Sequence, residues 1–325
     1  MRIRDATPST CGIVGAMAAV LVTGATGFVG QKLVRSLLER GDSVSVTSRS
    51  QSRGARTFGA GVPIVEWDGR DVSTARAMLA DVDAVVHLAG ANVSDTRWST
   101  ARVAELRESR TAPTRVLARA LAETAGEKVR AWLSASAVGI YGTRKDDKIL
   151  DESGSHGKDT LASICEDWEG AADDARAAGV RVAHPRIGLV LGSDGGMLKK
   201  MLPPFRLGVG GPLGDGEQFL SWIHQRDAVG ALLFALDHDV SGPFNVTAPT
   251  PVTMNVFAAE LGRALHRPAL MRVPALALRV LLGAGLAEAV LSGQRALPVK
   301  LRNEGYHFVF PDLWPALADI VGASS

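Results

Sequence analysis

Tyr141 and Lys145 stand four residues apart in SASAVGIYGTRK, residues 134–145, with Ser134 and Ser136 just upstream. A serine, a tyrosine and a lysine can together move a proton on and off a carbonyl or hydroxyl while a nicotinamide exchanges hydride. That chemistry needs the tyrosine and lysine on one helical face, which a four-residue step provides. Here the step crosses Gly142 and runs into DDKILDESGSHG, whose composition is that of a loop. The spacing is present without its setting. Tyr141 is retained as a catalytic candidate, expected to line the nicotinamide end of a cleft.

A second motif reads more sharply. In TGATGFVG, residues 23–30, Gly24, Gly27 and Gly30 follow an apolar run and open an amphipathic one. The first glycine permits a tight turn, the second lets a pyrophosphate approach the backbone, and the third lets helix and strand pack closely. The helix start then offers free N–H groups and a partial positive charge, so Thr26, Phe28 and Val29 join the glycines as expected dinucleotide contacts. About twenty residues on, a carboxylate would mark NAD. The chain has Thr47-Ser48-Arg49-Ser50 instead, with Arg53 beyond. Hydroxyls and a guanidinium suit a 2′-phosphate, so NADP(H) is the expected cofactor, with Ser48 and Arg49 as its contacts. Asp68 has two readings: acceptor for the adenine amine, or cap of the next turn.

These residues need a scaffold that brings strand ends together. Short apolar runs at 19–24, 43–48, 62–67, 83–90, 130–137 and 180–192 alternate with amphipathic segments at 31–41, 99–125 and 161–179. Regular alternation of this kind predicts an α/β fold, a Rossmann-like doubly wound parallel sheet. Pro113 is expected to kink or break the 99–125 helix. Leu88, Ala89 and Gly90 close the fourth strand and are expected at the cofactor, as are Ser134 and Arg186. After 192 the Gly- and Pro-rich SDGGMLKKMLPPFRLGVGGPLGDGEQF reads as a loop with one or two helical turns, SGPFNVT as a strand returning to the sheet, and 252–325 as mostly helical. The expected division is an extension over 1–17, a cofactor domain over 18–192 with 217–248 returning to it, and a smaller substrate domain over 193–216 and 249–325.

Composition narrows the class. The 325 residues are 46% hydrophobic and 22% charged, with a formal net charge of +2 and both signs interspersed, so neither a nucleic-acid footprint nor a membrane stripe is visible. Cys11 and Cys165, without metal-ligand spacing, point to a reducing, cytoplasmic setting and to no metal site.

Taken together, TGATGFVG, HLAG, LSASAVGIYG, PRIGLVLG and WIHQRDAV resemble the extended short-chain dehydrogenase/reductase superfamily. GAN-x-x-D-x-RW (90–98), DWE (167–169), MLPPFRLGVGGPLGDG (201–216) and GQRALPVKL (293–301) are similar to its atypical branch, the nucleoside-diphosphate-sugar epimerase-like proteins with a C-terminal domain of undefined function. The resemblance implies that Ser136 positions the substrate oxygen. It also implies a tyrosine and lysine on the next helix, where this chain has Leu161 and Cys165. It further implies a homodimer paired through 99–125 and 161–179. His224 and Asp227 are expected to dock the second domain, with Asp227 capping a helix and His224 as an acid/base the alternative, and His184 is expected in the core or at the cleft edge. Lys199, Lys200 and Arg206 flank a glycine loop that either closes over an anion or stays solvated. The expected function is an NADP(H)-dependent oxidoreductase or epimerase acting on a small polar substrate, a nucleotide sugar among the candidates. The alternative is an NADPH-binding redox sensor or scaffold without turnover.

Overall fold

The computed structural model describes residues 18–124 and 128–323. The extension 1–17 lies outside the described residues. Seven strands carry the architecture: β1 (Ala19–Thr23), β2 (Ser43–Ser48), β3 (Ile64–Glu66), β4 (Ala84–His87), β5 (Ala131–Ser134), β6 (Arg181–Ile187) and β7 (Gly242–Val246). They lie in the order 3-2-1-4-5-6-7, every neighbouring pair parallel. The short strand Ser136–Ala137 pairs with β6 to complete an eight-stranded sheet. The order reverses between β1 and β4, which opens a crevice at their carboxyl ends, where such sheets bind ligands.

The strands read as continuous apolar runs because both faces are covered. Val20, Val22, Leu33, Val34 and Leu37 belong to the core under helices Phe28–Arg40 and Gln225–Asp237. Leu21, Val85, Trp132, Leu117 and Leu121 fill the opposite core under Thr100–Glu123. His87 sits inside, its Nδ1 2.6 Å from Thr23 Oγ1 and its Nε2 3.0 Å from Thr114 Oγ1. Burial drives its pKa down to about 3, so it stays neutral.

Several elements differ from expectation. Residues 180–192 do not form one strand. The run is interrupted at Gly188, which donates to Val246 O at 3.0 Å while Leu189 N donates to Ser221 O at 2.8 Å; only glycine fits there, since a Cβ would lie 2.2 Å from that Ser221 oxygen. Leu189–Leu191 leaves the sheet to pair with Trp222–His224. Pro113 does not break its helix, which runs unbroken from Thr100 to Glu123. The segment expected as a loop with one or two helical turns holds an eleven-residue helix, Gly196–Arg206, despite Pro203 and Pro204. Its buried Leu198, Met201, Leu202 and Phe205 follow helical spacing and pack with Phe257 and Leu261 of helix Met254–Ala264, and this packing outweighs the missing proline N–H donors. The 161–179 segment forms two helices, Thr160–Gly170 and Asp173–Ala177. No helix among the described residues is long and apolar enough to cross a membrane.

Candidate functional site

At the end of β1 the chain turns through Gly24 at φ +67, where a Cβ would lie 2.6 Å from the Leu88 carbonyl. The end of β1 can therefore abut β4 only because this residue has no side chain. Gly27 N donates to Gly24 O at 2.9 Å, and a Cβ at Gly30 would strike that same oxygen at 2.4 Å. The helix Phe28–Arg40 starts at Gly27 with no side-chain cap, leaving its first N–H groups for a ligand. The Phe28 ring turns away and packs against Gly192 and Gly195, while Val29 packs against the core. What these two offer a ligand is backbone.

A cleft of about 780 Å³ opens from this turn across the ends of β2, β3 and β4. Gly24, Thr26, Gly27, Ser48, Arg49, Asp68, Leu88, Ala89 and Gly90 line it, as expected from the sequence. Ser48 spends its hydroxyl locally, donating to Ser50 O at 2.8 Å. Arg49 is exposed, and its guanidinium has no ion-pair partner among the described residues. Arg53 lies nearby on the same wall. Asp68 accepts from Arg70 N at 2.9 Å, so it caps the turn while lining the cleft. Trp67, Gly69 and Pro113 also line the cleft, and none was foreseen there. Pro113 packs where a Cβ on Gly69 would lie 2.8 Å from its own Cβ. The rule that ligands gather at strand ends could have found Trp67 and Gly69, which follow β3 directly.

Beyond Gly90 the chemistry changes. The Ser134 and Ser136 hydroxyls are buried without a well-formed hydrogen bond. Ser136 nevertheless lies near enough to Glu169 to help hold that carboxylate ionised. After Ser136 the chain makes a 3-10 turn, Val138–Tyr141. Its Gly139 faces Leu161 and Cys165, with ideal Cβ distances of 3.6 Å to Leu161 Cβ and 3.7 Å to Cys165 Sγ. Burial and the Glu169 charge push the Cys165 thiol up to about 12, against the pull of Arg110. Arg110 lies beside Gly90, donates to Leu106 O and Ala91 O, and rests over the Trp168 ring at 5.1 Å.

Tyr141 and Arg186 are not where the sequence placed them. Tyr141 does not line the cleft. It is fully buried, its hydroxyl donating to Asn245 Oδ1 at 2.8 Å and accepting from Arg186 Nη1 at 3.1 Å. Burial raises its pKa in spite of that guanidinium. Its turn ends at Gly142, φ +78, and Lys145 beyond is exposed, so the two share no helical face. Arg186 does not reach the cofactor cleft; it pairs bidentately with Glu169, Nε to Oε1 at 2.9 Å and Nη2 to Oε2 at 3.0 Å. Burial raises the Glu169 pKa, but the Arg186 hydrogen bonds and charge outweigh it and hold the group below the usual range.

The C-terminal part is held by His224, Asp227 and Arg97. Asp227 is not a helix cap, as the sequence suggested. His224 is, its Nδ1 accepting from Arg226 N at 3.1 Å. Asp227 instead accepts from Val309 N at 2.7 Å and Phe310 N at 2.8 Å. Arg97 Nε donates to Leu281 O at 3.1 Å, joining the loop beside the cleft to helix Ala275–Leu282. His184 is buried, near Ser134 O and Arg176.

The model of the NAD dependent epimerase/dehydratase family matches residues 20–247, and that of a domain of unknown function, DUF1731, matches residues 273–320. Epimerase family protein ML0860 of Mycobacterium leprae is 38% identical over 302 residues, covering 93% of this chain and 95% of the relative. The chloroplastic SDR39U1 homolog of Arabidopsis thaliana is 40% identical over 308 residues, covering 93% and 86%. The crystal structure of human epimerase family protein SDR39U1 with NADPH superposes with a TM-score of 0.81 at 33% identity, over 94% of this chain and 99% of that one. UDP-glucose 4-epimerase of Thermotoga maritima, solved with UDP-glucose, has a TM-score of 0.76 at 20% identity over 94% and 98%, a likeness of fold alone.

Proposed function

Because this chain belongs to the NAD dependent epimerase/dehydratase family, we propose that it is an NADP(H)-dependent oxidoreductase acting on a small carbonyl or hydroxyl compound. The observation that carries the reading is the cradle at Gly24, Gly27 and Gly30, opening into a cleft whose far wall holds Arg49 and no β2-terminal carboxylate. Its side-chain-free turn and uncapped helix start fit a pyrophosphate, and Arg49 fits a 2′-phosphate. The human relative solved with NADPH supports the same cofactor. When bound, the nicotinamide supplies or accepts hydride.

Ser136 is the residue of this chain best suited to hold the reacting oxygen. Its buried hydroxyl makes no well-formed hydrogen bond and lies near the Glu169 carboxylate, so it can donate to a substrate oxygen brought beside it. Leu161 and Cys165 stand on the helix where the family resemblance implies tyrosine and lysine. Leucine carries no proton, and a thiol near 12 is neutral. Tyr141 is committed to Asn245 and Arg186, so the proton comes from water or from the substrate's own group. That loss also favours a second reading, an NADPH-binding sensor without turnover.

Reduced-nicotinamide absorbance, followed with a panel of carbonyl compounds, separates the two. Oxidation that Ser136→Ala lowers at least a hundredfold, with NADPH affinity kept, supports the enzyme. An inert cofactor across the panel, with a partner captured only in the NADPH form, supports the sensor.

A further inference from the structure

A second cavity, of about 160 Å³, begins at Val138, two residues beyond Ser136. Leu189, Met197, Phe219, Met254 and Val290 continue its walls. Met197 comes from helix Gly196–Arg206 and Val290 from helix Ala284–Leu291, so the later third of the chain closes a space bordered by Val138, which follows Ser136 by two residues.

The side-chain donors of this cavity are already engaged. Ser221 Oγ donates to Gln294 O at 2.6 Å and accepts from Ala296 N at 2.9 Å. Ser292 Oγ donates to Glu288 O at 2.6 Å, and Gln294 Nε2 donates to Gly142 O at 2.6 Å. No charged side chain lines the space among the described residues. The cations of the glycine-rich segment lie elsewhere: Lys200 Nζ donates to Ser94 O at 2.8 Å, while Lys199 and Arg206 are exposed and outside the lining. A diphosphate placed here would lose its hydration and find no donor in exchange. Size agrees with chemistry. An apolar cavity of about 150 Å³ accepts a benzene ring, whereas pockets for drug-sized ligands run from about 300 Å³ upward.

We propose that this cavity is the specificity pocket of the protein and takes an uncharged apolar group, a six-membered ring or a branched chain of similar volume, attached to the reacting carbonyl or hydroxyl. A nucleotide sugar would have to place its phosphates outside this pocket, whose lining holds no charged side chain. The proposal rests on the oxidoreductase reading for the reaction, but the binding it describes is measured independently.

The test is calorimetric titration of the NADPH-loaded full-length protein with cyclohexanone, acetophenone and UDP-glucose. Saturable binding of a ketone at least tenfold tighter than that of UDP-glucose is expected. Ala289→Phe, which fills the lining, should weaken ketone binding at least tenfold with NADPH affinity unchanged. Met197→Ala, which enlarges the space, should shift preference toward a naphthyl ketone and serves if the first variant does not fold. Tighter binding of UDP-glucose, no ketone binding, or ketone affinity untouched by both variants would overturn the proposal. A ketone that binds without oxidising NADPH overturns the oxidoreductase reading and leaves the pocket standing. Oxidation indifferent to both variants does the reverse.

Discussion

One methyl group decides the phosphate cradle. Gly24 combines φ +67 with a Cβ position 2.6 Å from the Leu88 backbone. Gly24→Ala is therefore expected to weaken NADPH binding more than tenfold and to lower the melting temperature; unchanged values of both would show that the turn can relax. The role proposed for Arg49 rests on charge. A charge-assisted hydrogen bond contributes about 1.5–3 kcal/mol, so Arg49→Ala should weaken NADPH by roughly ten- to hundredfold and leave NADH nearly untouched, as read by fluorescence titration. Equal losses for both cofactors would remove Arg49 from the 2′-phosphate site. The position of both residues at the cleft was legible in the sequence because it follows from the strand end each occupies. Tyr141 and Arg186 were not, because a buried polar side chain is assigned by partners far along the chain: Asn245 is 104 residues from Tyr141 and Glu169 is 17 from Arg186.

Between elements, the key contact is helix Gln225–Asp237 against the segment after Tyr306. The buried Asp227 carboxylate accepts two backbone N–H groups there, and the Tyr306 hydroxyl donates to the Asp227 carbonyl oxygen at 3.0 Å. Asp227→Ala would strand both amides and should cost about 2–4 kcal/mol in urea unfolding; a loss below about 0.5 kcal/mol, the range of an ordinary surface change, would mean that the segment is held by other contacts. The alternation of strands and helices was readable from periodicity, since each β strand is a short apolar run between amphipathic segments. The split at Gly188 was not, because it reflects the hydrogen bond from Leu189 N to the Ser221 carbonyl oxygen of another strand pair. Helix Gly196–Arg206 was hidden by two prolines that local propensity weighs heavily and tertiary packing overrides.

For the whole molecule, buried titratable groups set the acid limit of stability. Burial lowers the pKa of His87, His184 and His224. His87 has a pKa of about 3 in the fold against 6.5 when free. Between those values the unfolded chain binds a proton that the folded chain does not. Its contribution is therefore complete above pH 6.5, falls by about 1.4 kcal/mol per pH unit below it, and levels off near 3. Glu169, depressed below 4.5, adds stability that is present above that value and lost as the pH falls through its folded pKa. His87→Gln should flatten the stability curve between pH 6.5 and 4.5, where carboxylates have yet to titrate; an unchanged slope would place the loss on other groups. The proposed function requires that the cleft bind NADPH. Calorimetric titration of the purified protein with NADPH and NADH tests this most directly: one site per chain with NADPH at least tenfold tighter is expected, and no binding of either, or equal binding of both, would contradict it.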